Sequence, residues 1–124
     1  MILINKMSLL YVLKLESNKF YIGKTNNIKK RFTEHFNGIN CSYTTIYKPL
    51  QVLETHKYYD FGEDMLTLKY MKRYGINNVR GGSYSSPNLP EEEIRLINKM
   101  IKTSNDRCYI CNDKGHYANA CKRK

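Results

Sequence analysis

The 124-residue chain has no stretch approaching the ~20 consecutive apolar residues that a membrane-crossing helix needs. Met1–Leu10 is too short and too broken by polar residues to act as a signal peptide, so a soluble, intracellular protein is expected. Acidic residues are scarce: 11 Asp and Glu against 21 Lys and Arg leave a net charge of +10. A surface of this sign favours polyanionic partners, nucleic acid or an anionic membrane, and charge alone does not choose between them. Cysteine is nearly missing from the first hundred residues, where Cys41 stands alone and reads as a small, partly buried hydrophobe. The other three cysteines fall within residues 108–121 beside a histidine. That argues against a secreted disulfide framework and for metal in a reducing compartment, cytoplasm or nucleus. Internal repeats and low-complexity tracts are absent, and the length suits one ordinary domain plus one very small module.

What is present divides into three segments. Residues 7–86 carry +6, residues 87–103 are neutral and residues 104–124 carry +3, an arrangement that suits one ligand touched twice. The boundaries expected are 1–86 for the main domain, 87–103 for a linker helix and 104–124 for the small module. Ser8–Leu15 and Lys19–Gly23, separated by Glu16-Ser17-Asn18, predict a β-hairpin. From Thr25 a helix follows, capped by Asn26 or Asn27, with Ile28, Phe32 and Phe36 as its apolar row. Leu50–Thr55, introduced by Pro49, predicts a third strand. Asp60–Tyr74 predicts a second helix, with Phe61, Met65 and Leu68 inward and Gly75 as its stop. Val79–Tyr84 is compatible with a strand or a loop because of its paired glycines, and Glu91–Ile101 predicts a linker helix.

Cys108, Cys111, His116 and Cys121 spell C-x2-C-x4-H-x4-C. Three thiolates and one imidazole satisfy the tetrahedral shell of one structural zinc ion per chain. The alternative, scattered ligand-type residues or a redox pair at Cys108 and Cys111, has less weight, because a full four-ligand spacing with fitting fillers rarely arises by chance. Gly115 permits the tight turn, Tyr109 and Tyr117 offer stacking faces, and Lys114, Lys122, Arg123 and Lys124 supply phosphate contacts. Residues 108–121 resemble the CCHC zinc knuckle of nucleocapsid-type proteins, which implies binding of single-stranded nucleic acid.

Residues 8–84 resemble the GIY-YIG nuclease family. Tyr21-Ile22-Gly23 is the second signature tripeptide as it stands, whereas Leu9-Leu10-Tyr11 keeps the tyrosine of the first without its leading glycine. The ten-residue step from Tyr11 to Tyr21 agrees with the family, as do Lys24, then Arg31 and His35 four residues apart, and Glu63 on the second helix. Asp64 is the close competitor of Glu63. The family's asparagine after this helix falls at Asn77 or Asn78, with Asn78 preferred.

The resemblance implies an α+β fold, a small antiparallel sheet of about three strands flanked by helices, and hydrolysis of a DNA phosphodiester. Tyr11 is then the general base, provided that Lys24 or a neighbouring cation lowers its pKa, although His35 could take that part instead. Arg31 clamps the phosphate through its planar fork. Glu63 holds one Mg²⁺ or Mn²⁺, and Tyr21 and His35 orient water or phosphate. Lys29, Lys30 and Arg80 are further nucleic-acid contacts. Each residue has a duller explanation: paired strand tyrosines, a solvated basic helix face, a carboxylate favoured in a helix's first turn. Jointly these would have to reproduce the family spacing by accident. Two rivals stand beside the enzyme: an inactive nucleic-acid adaptor, for RNA or DNA, and a nucleocapsid-like structural protein.

Overall fold

The computed structural model describes residues 8–39 and 41–104. The chain divides into two compact units, Met1–Asn88 and Leu89–Lys124. Strands β1 (Leu9–Leu15) and β2 (Lys19–Thr25) form the expected hairpin, and the register pairs Tyr11 with Gly23. Its tight connection, Glu16–Asn18, places Ser17 and Asn18 at positive φ. Helix α1 (Ile28–Phe36) starts at Asn27, whose side chain accepts from the Lys30 N–H. A five-residue helix α2 (Ser42–Ile46) follows. Strand β3 (Pro49–Lys57) then pairs antiparallel with β1, with two register shifts, and lies at one edge of the sheet. Helix α3 (Gly62–Tyr74) ends at Gly75, at φ +102, whose N–H bonds the Met71 carbonyl.

The sheet has four strands in the order β3-β1-β2-β4, because β4 (Val79–Gly81) pairs with β2 in parallel. It is therefore mixed, where three antiparallel strands were expected. The fourth strand is only three residues long, and α3 supplies the crossover that a parallel pairing requires. One sheet face gathers Tyr11, Leu13, Leu15, Tyr21 and Tyr43, with Ile28, Phe32, Cys41 and Tyr47 packed against them.

Helix α3 is turned relative to the sequence expectation, whereas in α1 Ile28 and Phe32 pack against this cluster as expected. In α1 the buried residue is His35, while Phe36 is half exposed. In α3 the buried residues are Gly62, Leu66, Thr67 and Met71, and Phe61 and Met65 point outward. In the second unit α4 (Glu91–Ser104) has three acids in its first turn, where the helix dipole favours them, and buries Ile97. No described helix is long and apolar enough to cross a membrane.

Candidate active site

Gly23 explains how the two tyrosines come together. A Cβ at this position would overlap the Tyr11 hydroxyl and ring, so the bare backbone of β2 is what lets the Tyr11 phenol lie across it. Beneath, His35 is fully buried, with Nε2 2.7 Å from the Tyr11 hydroxyl and Nδ1 2.9 Å from Thr44 Oγ1. The Tyr21 ring stands 4.9 Å from His35 and 6.5 Å from Tyr11, centroid to centroid. Thr44 donates to the Cys41 carbonyl at 3.4 Å, so its oxygen is left to accept from His35 Nδ1–H. This network assigns the tautomer: Nε2 carries no proton and accepts the one on Tyr11.

Charge surrounds this buried trio from α1. Arg31 is bound to Glu34 at 3.0 Å, and its guanidinium lies beside the Tyr11 hydroxyl. Burial pushes the Tyr11 phenol up to about 12, with Arg31 opposing. Burial raises Tyr21 further, helped by neighbouring Cys41 and Tyr11. Burial pushes His35 down to about 4, Arg31 adding to the effect and Glu34 opposing it. Of the expected cations, Lys24 or a neighbour, it is Arg31 that acts on Tyr11, and its lowering effect is outweighed by burial. Lys24 Nζ sits 4.3 Å from the centre of the Tyr58 ring, and its charge is felt by Glu63.

Glu63 is partly buried in the first turn of α3, and desolvation raises its pKa while Lys24 opposes. Its competitor Asp64 is already engaged: one oxygen accepts from the Ser83 N–H at 2.7 Å and the other from Ser83 Oγ at 2.8 Å. Among the described residues no three His, Cys, Asp or Glu side chains cluster as a metal cage. A lone under-solvated carboxylate still fits Mg²⁺, which takes one or two protein carboxylates and completes its shell with water and substrate phosphate.

Arg80 departs from the sequence expectation. It is 3% exposed, and its guanidinium donates to the carbonyls of Ile76, Val79, Ser86 and Pro87 at 2.6–3.1 Å. A buried cation with these partners ties β4 to the loop after it and is withdrawn from any phosphate. Asn78 is engaged elsewhere, accepting from Lys19 Nζ at 2.6 Å and donating to the Tyr74 carbonyl at 2.7 Å. The sheet register puts it beyond Phe20, toward the end of β2 away from Lys24. Lys29 and Lys30 are exposed on α1, as expected. Thr44 was not foreseen, since a five-residue helix offers too short a window for periodicity. The four zinc ligands, together with Tyr109, Lys114, Tyr117, Lys122, Arg123 and Lys124, lie outside the described residues.

The buried histidine makes an acid limb in stability. Unfolded, His35 titrates near 6.5, and folded near 4. The folded state resists the proton, so stability is complete above pH 6.5 and falls as pH drops through 4, by on the order of 3 kcal/mol. Raised phenols give the opposite limb: Tyr11 and Tyr43, both near 12, lose their contribution as pH rises from 10 through 12. Melting temperature against pH checks this, and a His35→Gln variant with an unchanged slope between pH 6.5 and 4 would contradict it.

A tyrosine pair brought together on adjacent strands, with an arginine and a carboxylate on flanking helices, defines the GIY-YIG type of site. Residues 7–73, more than half of the chain, match the model of the GIY-YIG catalytic domain, and the chain belongs to this family. Its relatives include a UPF0213 protein of Xanthomonas campestris pv. campestris (strain 8004), 41% identical over 51 residues, or 41% of this chain and 50% of the relative. A UPF0213 protein of Listeria welshimeri serovar 6b is 40% identical over 48 residues, 39% of this chain and 53% of the relative. The UPF0213 protein YazA of Bacillus subtilis (strain 168) is 30% identical over 63 residues, 51% and 64% of the respective lengths. The match thus spans about half the length of the first two and less than two thirds of the third. No solved structure matches the chain.

Proposed function

We propose that the protein is a metal-dependent endonuclease that hydrolyses DNA phosphodiester bonds. The observation that carries this reading is the Tyr11–His35 contact at 2.7 Å, with Arg31 beside it. At neutral pH both groups are uncharged. Tyr11 first passes its proton to His35 Nε2, and the tyrosinate so formed takes the proton of the attacking water, which leaves Tyr11 neutral, His35 as imidazolium and a hydroxide to attack the phosphorus. Burial opposes each charge alone, but tyrosinate and imidazolium formed together carry no net charge, so it weighs less against the pair. Arg31 holds the scissile phosphate and offsets the charge that builds on it. Glu63 is the residue that would hold Mg²⁺ or Mn²⁺, and the bound ion would polarise the phosphate and stabilise the leaving oxygen. Tyr21 orients the water or phosphate, with Lys24 supplying charge near Glu63. Lys29 and Lys30 extend the positive surface.

The zinc knuckle of 108–121 adds a second handle on the same strand, which favours flapped or branched DNA with unpaired bases. The rival reading, an inactive adaptor, rests on the missing glycine before Leu10. Incubation of the whole protein with plasmid, single-stranded, flapped and branched DNA, with and without Mg²⁺, tests the proposal. Magnesium-dependent nicking that disappears in Glu63→Ala is expected; nicking that survives the substitution would refute the metal assignment, and none in wild type would leave the adaptor. Elemental analysis should find one zinc per chain, and its absence from gently purified protein would remove the knuckle.

A further inference from the structure

Beside Glu63 lies an open groove of about 330 Å³ lined by Tyr58, Phe61, Gly62, Glu63, Asp64, Gly82 and Ser83. Two of its lining residues are glycines packed too closely for a side chain, since a Cβ on Gly62 would overlap Leu10 and one on Gly82 would overlap Asp64. Two aromatic rings stand at its walls. Phe61 is 80% exposed and holds φ +62, a left-handed backbone that a bulky side chain rarely adopts. The conformation is tied to the start of α3, where the Phe61 carbonyl accepts from the Met65 N–H at 3.0 Å. Nothing about folding rewards this choice, since the ring gains no burial and glycine would take the same backbone without strain. Tyr58, on the same groove, has the Lys24 ammonium 4.3 Å from its ring centre.

The geometry points to this groove as a stacking site for an unpaired nucleobase next to the scissile phosphate, with Phe61 as the residue that selects for it. The inference rests on the nuclease reading and narrows its substrate. The Phe61 and Tyr58 rings offer flat apolar faces, so the part of a nucleotide that they can hold is the flat, uncharged base. Lys24, at the rim, is positioned for the phosphate that belongs to that base. A base inside a continuous duplex is already stacked on both faces and has none free for Phe61 or Tyr58. The preferred substrate is therefore DNA that is unstacked at the cleavage point, as at a flap or branch junction, and this preference resides in the sheet-bearing unit itself.

The test uses the full chain and a flapped duplex carrying 2-aminopurine at each junction position in turn, with the same base inside a continuous duplex as control. Binding is followed by fluorescence with Ca²⁺ in place of Mg²⁺ and no chelator, so that cleavage is suppressed and the zinc of the knuckle is retained. Wild type should quench the junction base in at least one position, and Phe61→Trp should retain that quenching. Phe61→Gly should bind the flap at least roughly fivefold more weakly. Its melting temperature should be equal or higher, because glycine relieves the backbone, so the loss cannot be ascribed to unfolding. Equal flap affinity in Phe61→Gly and wild type would overturn the inference. Quenching that depends on residue 61 without magnesium-dependent cutting sinks only the nuclease reading. Normal cutting with quenching insensitive to residue 61 sinks only the stacking site.

Discussion

Tyr11→Phe is expected to lower the turnover number by about 10²–10⁴-fold, the range of a positioned general base, while the protein stays folded. The ring itself is buried between Gly23 and the core of that sheet face, and phenylalanine keeps its volume. What disappears is the hydroxyl on His35 Nε2, which in the proposed mechanism links the attacking water to that histidine. The substitution leaves the buried Nε2 without its partner, which should cost about 1–3 kcal/mol of stability. Single-turnover cleavage together with a thermal melt separates the two effects. A variant that melts within about 10 °C of wild type and still cuts at the normal rate would show that the base lies elsewhere.

Arg31→Ala should also remove cleavage by roughly 10²–10³-fold, the magnitude seen when one oxyanion-stabilising donor is lost. Two contributions vanish together: the fork that holds the phosphate, and the positive charge that restrains the Tyr11 pKa. Arg31→Lys pulls them apart. An ammonium restores charge near the phenol but cannot bind two phosphate oxygens at once. The limb on which the rate rises with pH should therefore move to higher pH in Arg31→Ala and return in Arg31→Lys, with the rate remaining low in both. Because the side chain is partly exposed and its ion pair is with nearby Glu34, loss of that pair should change stability little. Wild-type rates in the alanine variant would discard the clamp.

The hairpin and its tyrosines were readable in the sequence because their geometry is local. Ten residues separate Tyr11 from Tyr21 across one tight turn, and the Gly23 that makes room for the phenol belongs to the same hairpin. Helix starts and stops at Asn27 and Gly75 were readable for the same reason. Helix facing was readable only in part. Ile28 and Phe32 pack against the core of the sheet face, but Phe36, the last of their row, is half exposed and a polar side chain, His35, occupies the deepest position. Nothing in local hydrophobicity announces that a histidine is inward, because what permits it is Tyr11 and Thr44 from two other elements. Arg80 failed for a related reason. Its carbonyl partners come from residues 76, 79, 86 and 87, and only the folded loop turns four main-chain oxygens toward one guanidinium. The parallel partner of β2 stayed open between strand and loop, since a three-residue strand that ends in the first of two glycines is too short to show strand periodicity.

Strand β3 closes one edge of the sheet with Leu50, Val52 and Leu53 all exposed. A long apolar edge of this kind is a template on which another chain could add a strand, and proteins at high concentration are vulnerable there. The two register shifts against β1 bear on this hazard. Each irregularity bends the strand and increases its local twist, so a straight incoming segment meets donors and acceptors out of step. Pro49 removes a donor at one end, and Lys57 places a charge at the other. The distortion of β3 thereby acts as a guard against self-association, and straightening it would expose the molecule to aggregation without touching a single residue of the candidate site.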